Sequence, residues 1–155
     1  MTTDLIVTPI GTVRSGRDVA IDDDWDAVAC VIELDATQLH PEATHGLDAF
    51  SHIEVLFAFD RVDHDAVCRG SRHPRGNTDW PRVGILAQRA KDRPNRIGTT
   101  VCRVVAVDGL RIRVTGLDAI DGTPVLDIKP YMRGFAPRGD VHEPTWAAEL
   151  MAGYW

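Results

Sequence analysis

Thr99-Thr-Val-Cys-Arg-Val-Val-Ala-Val-Asp-Gly-Leu-Arg-Ile-Arg-Val-Thr-Gly-Leu117 is the stretch that decides the fold class. From Leu110 to Leu117 apolar and polar residues alternate cleanly, the period-2 pattern of a strand with one buried and one wet face. Thr99–Val107 alternates in part. Asp108-Gly109 lies between the two halves, and both residues tolerate positive φ, so the run reads as a β-hairpin. Outward from it, Asp4–Arg14, Val28–Leu34, His52–Phe59 and Val125–Ile128 are short, branched or aromatic, and bounded by turn residues. They read as further strands.

Helical signals are few. Ala36–Leu39 and His45–Phe50 predict short turns. Pro144–Tyr154 predicts a C-terminal helix, with Trp146, Leu150 and Met151 on one face. Arg14–Asp26 and Asp63–Arg82 read as loops without regular structure. Many short strands at even spacing favour a closed or strongly curved sheet. The expected architecture is mainly β, a single-domain β-barrel-like fold over residues 1–155 with few short helices and a C-terminal helix. A Gly-x-Gly-x-x-Gly strand-to-helix turn, a Walker glycine loop and a Gly-x-Ser-x-Gly elbow are all missing from the sequence.

The net charge is −6, which argues against indiscriminate binding to nucleic acid. That charge is unevenly spread. Arg69–Arg103 holds nine Lys or Arg against two Asp, a local +7 on an acidic chain. The reading is either one cationic face or arginines paired with the chain's own carboxylates. The three cysteines, Cys30, Cys68 and Cys102, are far apart and read as free thiols. The six histidines show no metal-ligand spacing, and no metal is expected. With no apolar run long enough to span a bilayer and no leader-like start, a cytoplasmic protein is expected.

Two runs carry candidate chemistry. In Val83–Thr100, Arg93-Pro94-Asn95-Arg96-Ile97-Gly98 sets a rigid turn among basic side chains. Proline fixes its own φ and biases its predecessor, and Asn95 tolerates left-handed backbone. Arg89, Arg93 and Arg96 are thereby held in fixed directions, suited to carboxylates or phosphates. In Gly116–Tyr131, alternation puts Asp127 and Lys129 on one face of a strand. They form either an internal ion pair or part of a polar pocket beside the Arg-Pro-Asn loop. Phe57 and Phe59 read as core, and an aromatic next to Asp60 also suits stacking on adenine.

Four blocks in order, Pro9–Ser15, Gly46–His52, Val83–Gly98 and Leu117–Tyr131, resemble the TsaA/TrmO family. The resemblance implies a β-barrel methyltransferase using S-adenosylmethionine (SAM), and a homodimer with SAM near the subunit interface. The implied reaction is N-methylation of the exocyclic amine of threonylcarbamoyl-adenosine beside the tRNA anticodon. Carried over residue by residue, Phe59, Asp60, Arg89, Thr99, Gly116, Leu117 and Asp118 fall at cofactor positions. Arg93 and Asn95, with Asp127 and Lys129, are the candidate catalytic set. Arg72, Arg75 and Arg96 are the candidate substrate contacts. The chain departs from the tRNA enzymes in carrying Ala87-Gln88-Arg89 for Ala-Thr-Arg. It also has Ile21–Trp25 where they have a Pro-Arg-Gln-Pro-Gly-like loop, so Asp24 and Trp25 are the expected stand-ins. The expectation is a short form of the family without their C-terminal extension. A small-molecule substrate and a non-catalytic SAM-binding module remain the alternatives to tRNA.

Overall fold

The computed structural model describes residues 2–155. Six antiparallel strands close a barrel in the order β1-β2-β7-β6-β3-β8. In chain order the strands are β1 (Gly11–Ser15), β2 (Ala29–Leu34), β3 (His52–Ala58), β4 (Ser71–Arg72), β5 (Val83–Gly84), β6 (Ile97–Asp108), β7 (Arg111–Thr115) and β8 (Pro124–Pro130). β4 and β5 form a separate two-stranded sheet. Among the described residues the one α-helix, α1, spans Thr145–Met151. Among the described residues no helix is long and apolar enough to cross a membrane.

The expected hairpin is β6–β7: Asp108 pairs with Arg111, and Gly109-Leu110 make the turn, with Gly109 at φ +56°. The partial alternation of its first strand has a physical cause. The β6–β7 register shifts between Val104 and Ala106, leaving Val105 as an extra, exposed residue. The bulge lets Val104 and Val107 both pack against the core. A second register shift, opposite Leu56/Phe57, skips Leu126 in β8 and brings Val125 and Ile128 inward together. The barrel interior is filled by Val13, Ile32, Ile53, Val55, Phe57, Ile112, Val114 and Val125. Cys30 and Cys102 are also buried there, as free thiols.

Three expectations need correction. The first strand starts at Gly11 and not at Asp4: its register with β2 and β8 begins there, with Ile10 adding backbone hydrogen bonds to Val125 and Asp35 at the strand's edge. Leu5 and Ile6 are 87% and 89% exposed. Asp63–Arg82 is not an unstructured loop. It holds a 3-10 turn at His64–Ala66, strand β4 and a second turn at Pro74–Gly76. The C-terminal helix is shorter than its apolar pattern and ends at Met151. Beyond it Gly153, at φ +79°, redirects the chain.

Candidate functional site

β6 organises the site because its alternating side chains serve two polar clusters, one on each face. On the inner side, Thr100 donates its hydroxyl to Asp118 Oδ1, and Tyr154 donates to Oδ2 of the same carboxylate. Asp118 follows Leu117, fully buried, and Gly116, which turns the chain at φ +74°. Burial, and the Asp118 charge next, push the Tyr154 phenol well above its ordinary value, so it stays a donor. On the outer side, Thr99 donates its hydroxyl to Glu54 Oε1 at 3.0 Å, and Arg89 Nη2 donates to the Thr99 carbonyl at 2.6 Å. Glu54 pairs across the sheet with Lys129, and Lys129 Nζ lies 2.7 Å from Asp127 Oδ2. Asp127, Lys129, Glu54, Thr99 and Arg89 thus make one polar row over β8, β3 and β6. Asp127 above all, and Glu54 after it, holds the Lys129 ammonium above its ordinary value. Lys129 thus carries its positive charge beside Asp127.

The Arg-Pro-Asn turn forms a 3-10 turn over Pro94–Arg96. Asn95 and Arg96 both sit in left-handed backbone, at φ +63° and +51°. Two consecutive non-glycine residues there store strain, which persists only where the surroundings hold it. Arg93 Nη1 donates to the Gln88 carbonyl at 2.6 Å and Arg96 Nη1 to the Val62 carbonyl at 2.7 Å. Phe59 N donates to the Arg96 carbonyl, which ties the turn to the end of β3. Phe59 meets Phe57 edge-on at 5.4 Å, and Asp60 beside it is exposed.

The arginines of the basic stretch are largely engaged within the chain. Arg72 Nη1 meets Asp92 Oδ2 at 2.9 Å, and Arg75 reaches Asp23 at 3.1 Å and Asp22 at 3.8 Å. Burial works to raise the Asp92 carboxyl, but hydrogen bonds from Lys91 and Arg72 win and hold it below its ordinary value. Gln88, at the departure from Ala-Thr-Arg, is buried. Its amide donates to the Arg72 and Val83 carbonyls, clamping β4 to β5. Trp25 is buried too. Its indole donates to the Asp22 carbonyl, and the Arg17 guanidinium covers its ring at 4.2 Å. Asp24 sits at φ +63° and its N–H donates to the Gly153 carbonyl. The Ile21–Trp25 segment is thus packed against the C-terminal turn, with the Trp25 ring face already occupied.

An open cleft of about 450 Å³ is lined by Asp26, His52, Arg103, Gly116 and Trp155 among others, and by none of Thr100, Asp118 or Tyr154. A methyl group added at Gly116 would lie 3.1 Å from the Asp26 carboxylate, so glycine keeps this wall thin.

Residues 21–136 match the tRNA-methyltransferase O N-terminal domain. The chain belongs to this family. The human tRNA (adenine(37)-N6)-methyltransferase is 39% identical over 99 residues, covering 64% of this chain and 22% of that one. The Escherichia coli protein of the same name is 37% identical over 107 residues, covering 65% and 44%. A probable S-adenosyl-L-methionine-binding protein of Pyrococcus abyssi is 34% identical over 136 residues, covering 86% and 71%. The chain therefore spans less than half the length of either of these methyltransferases. The crystal structure of TrmO from Pseudomonas aeruginosa superposes with a TM-score of 0.71 at 31% identity, covering 92% of this chain and 62% of that one. A second TrmO crystal structure gives 0.74 at 32% identity, covering 91% and 64%.

Within the family frame, the structure joins Thr99, Arg89, Asp127 and Lys129 in the outer row. Asp118 lies in the inner cluster, two residues beyond Gly116. Arg72 and Arg75 are tied to acidic partners. Glu54 and Tyr154 are the members that sequence reasoning missed. Glu54 had a signal: a carboxylate at the wet position between Ile53 and Val55. Tyr154 had none, because its partner Asp118 is 36 residues away, and Tyr154 lies outside the matched 21–136 region.

Proposed function

We propose that this protein is a SAM-dependent N-methyltransferase that methylates the exocyclic amine (N6) of threonylcarbamoyl-adenosine in the tRNA anticodon loop. The observation that supports this best is the inner cluster at the family's Gly116-Leu117-Asp118 block. There one carboxylate is oriented by two hydroxyl donors beside a left-handed glycine. The residues fit SAM. An ionised carboxylate has about four acceptor positions, so Asp118 keeps room for a ribose hydroxyl or an amine. Arg89 uses one nitrogen on the Thr99 carbonyl and keeps further donors for a carboxylate. SAM supplies, when bound, an electrophilic methyl on a sulfonium, transferred by in-line displacement that depends mostly on alignment.

The chain's own residues then do the positioning. The strained Arg93–Arg96 turn, with Asn95 at its tip, receives the substrate nucleoside. Lys129, held protonated, faces the carboxylate of the threonyl group as a counter-charge. The exposed apolar side chains of Ile97, Val101 and Val105 along β6 support a homodimer. A cytoplasmic location follows from a tRNA substrate.

A small-molecule substrate is the second reading, and one observation favours it. On an acidic chain, Arg72, Arg75, Arg89, Arg93 and Arg96 are all bonded within the protein. The deciding experiment is calorimetry with SAM, then incubation with labelled SAM and tRNA that lacks this methyl group. Label entering RNA, and lost in Arg93→Ala, is the expected result. SAM binding without RNA labelling moves the assignment to a small substrate. S-adenosylhomocysteine failing to appear with any amine leaves a SAM-binding module.

A further inference from the structure

Tyr131-Met-Arg-Gly-Phe-Ala-Pro-Arg-Gly139 leaves the barrel directly from β8 and carries a phenyl ring into water. Phe57 is buried and Phe50 and Phe59 are half-buried, but Phe135 is 85% exposed. The segment that carries it is ordered by hydrogen bonds. Tyr131 N donates to the His52 carbonyl at 3.0 Å, which prolongs the β8–β3 ladder. A 3-10 turn then spans Arg133–Phe135, where Phe135 N donates to the Met132 carbonyl at 3.0 Å and Ala136 N to the Arg133 carbonyl at 3.1 Å. Pro137 fixes the next dihedral, and Gly139 turns the chain at φ +81°. Between Pro130 and Gly139 the segment carries Arg133 and Arg138 and no carboxylate, on a chain of net charge −6. Both arginines are exposed, and among the described residues neither has an ion-pair or side-chain hydrogen-bond partner. Arg72, Arg75, Arg89, Arg93 and Arg96, by contrast, are all bonded within the chain.

We propose that the Arg133–Arg138 segment is an RNA contact: the Phe135 ring stacks on an unpaired base next to the target nucleoside in the tRNA loop, and Arg133 and Arg138 bind phosphates beside it. The inference rests on the reading of this protein as a tRNA methyltransferase, and it says which surface holds the RNA around the target. An exposed phenyl ring flanked by guanidinium groups suits a single strand, whose bases show their faces. It does not suit a duplex, whose base faces are covered by stacking. The charge is complementary to a phosphate backbone, and each free guanidinium has all its donors to give. Position fits as well. Lys129 faces the threonyl group in that reading, and Tyr131 is the next residue but one, about 7 Å on at the ordinary rise of a strand. The segment thus begins close to the modified base, and a base beside the target meets Phe135 as the target enters the site.

Phe135→Ala, Phe135→Tyr and the double variant Arg133→Ala/Arg138→Ala, made in the full chain, test it. Each is measured by gel shift with tRNA that carries threonylcarbamoyl-adenosine but lacks the methyl group, by calorimetry with SAM, and by sedimentation. None of these side chains belongs to the barrel core, so melting and SAM affinity should match the parent. Phe135→Ala is expected to weaken RNA binding about tenfold, the scale of one lost base–aromatic stack, and Phe135→Tyr to keep most of it. The double arginine variant should flatten the slope of log affinity against log salt by about 1.4, the share of two phosphate contacts on a single strand. Parental RNA affinity in Phe135→Ala overturns the contact while leaving the tRNA methyltransferase reading intact. A Phe135→Ala protein that changes its sedimentation and not its RNA affinity assigns the segment to a second copy of the chain, and the proposal falls. A parent that binds SAM but no tRNA overturns this proposal together with the tRNA reading.

Discussion

Gly98 has two aromatic rings against its backbone. A Cβ there would lie 2.6 Å from the Phe57 ring and 2.8 Å from that of Phe59. Gly98→Ala must therefore displace Phe57, a core residue, and should cost about 1–3 kcal/mol in urea denaturation. Thr99 and Thr100 follow directly and carry both polar clusters, so the same variant should weaken SAM as well as stability. Cys102 gives a prediction in pH. Burial pushes its thiol from 9.0 up to about 12. The folded chain thus keeps a proton that the unfolded chain releases. Its contribution is whole below pH 9.0 and lost as pH rises through about 12. The melting temperature should fall across that window, and Tyr154, also raised, acts in the same direction. In the native protein at pH 8, iodoacetamide should modify Cys68 alone. Modification of Cys30 or Cys102 at a similar rate would show a barrel more open than this packing allows.

At the scale of elements, the small β4–β5 sheet is the one most dependent on polar contacts. It has two residues per strand, and the Asp92–Arg72 pair and the Gln88 amide hold it. Asp92→Asn should loosen Arg69–Arg82 and speed its cleavage by trypsin, while barrel melting changes little. Because the Asp92 carboxyl lies below its ordinary value, its stabilisation is present at neutral pH and lost as pH falls through the folded-state value. Unchanged proteolysis in Asp92→Asn would mean that the Gln88 clamp suffices. The hairpin β6–β7 was legible because Asp108-Gly109 is a local signal, and its strands alternate. The bulge at Val105 was legible only as a defect in that alternation. The first strand was over-read because an apolar, branched run needs a neighbour to become a strand, and Leu5 and Ile6 have none.

At the scale of the molecule, the charge pattern has a consequence for substrate choice. If tRNA is the substrate, binding should weaken steeply with salt, since each phosphate contact releases counterions. A gel-shift series at rising salt measures the slope, and a flat response favours the small-molecule reading. The apolar stripe on β6 predicts that Val101→Glu shifts the sedimentation of the protein towards monomer; a parent that already sediments as a monomer removes the dimer. The sequence by itself determined the fold class, the hairpin, the Arg-Pro-Asn turn and the placing of Asp127 and Lys129 on one face of a strand. Each of these is written in local spacing: period two, turn dipeptides, a proline-fixed dihedral. Only the tertiary structure decided that the basic stretch is largely engaged internally, that Trp25 is buried beneath Arg17, and that Glu54 and Tyr154 join the site. Those outcomes depend on which segments barrel closure brings side by side, as when Tyr154 meets Asp118 across 36 residues. Side-chain pairing at that range follows from closure and not from any local pattern.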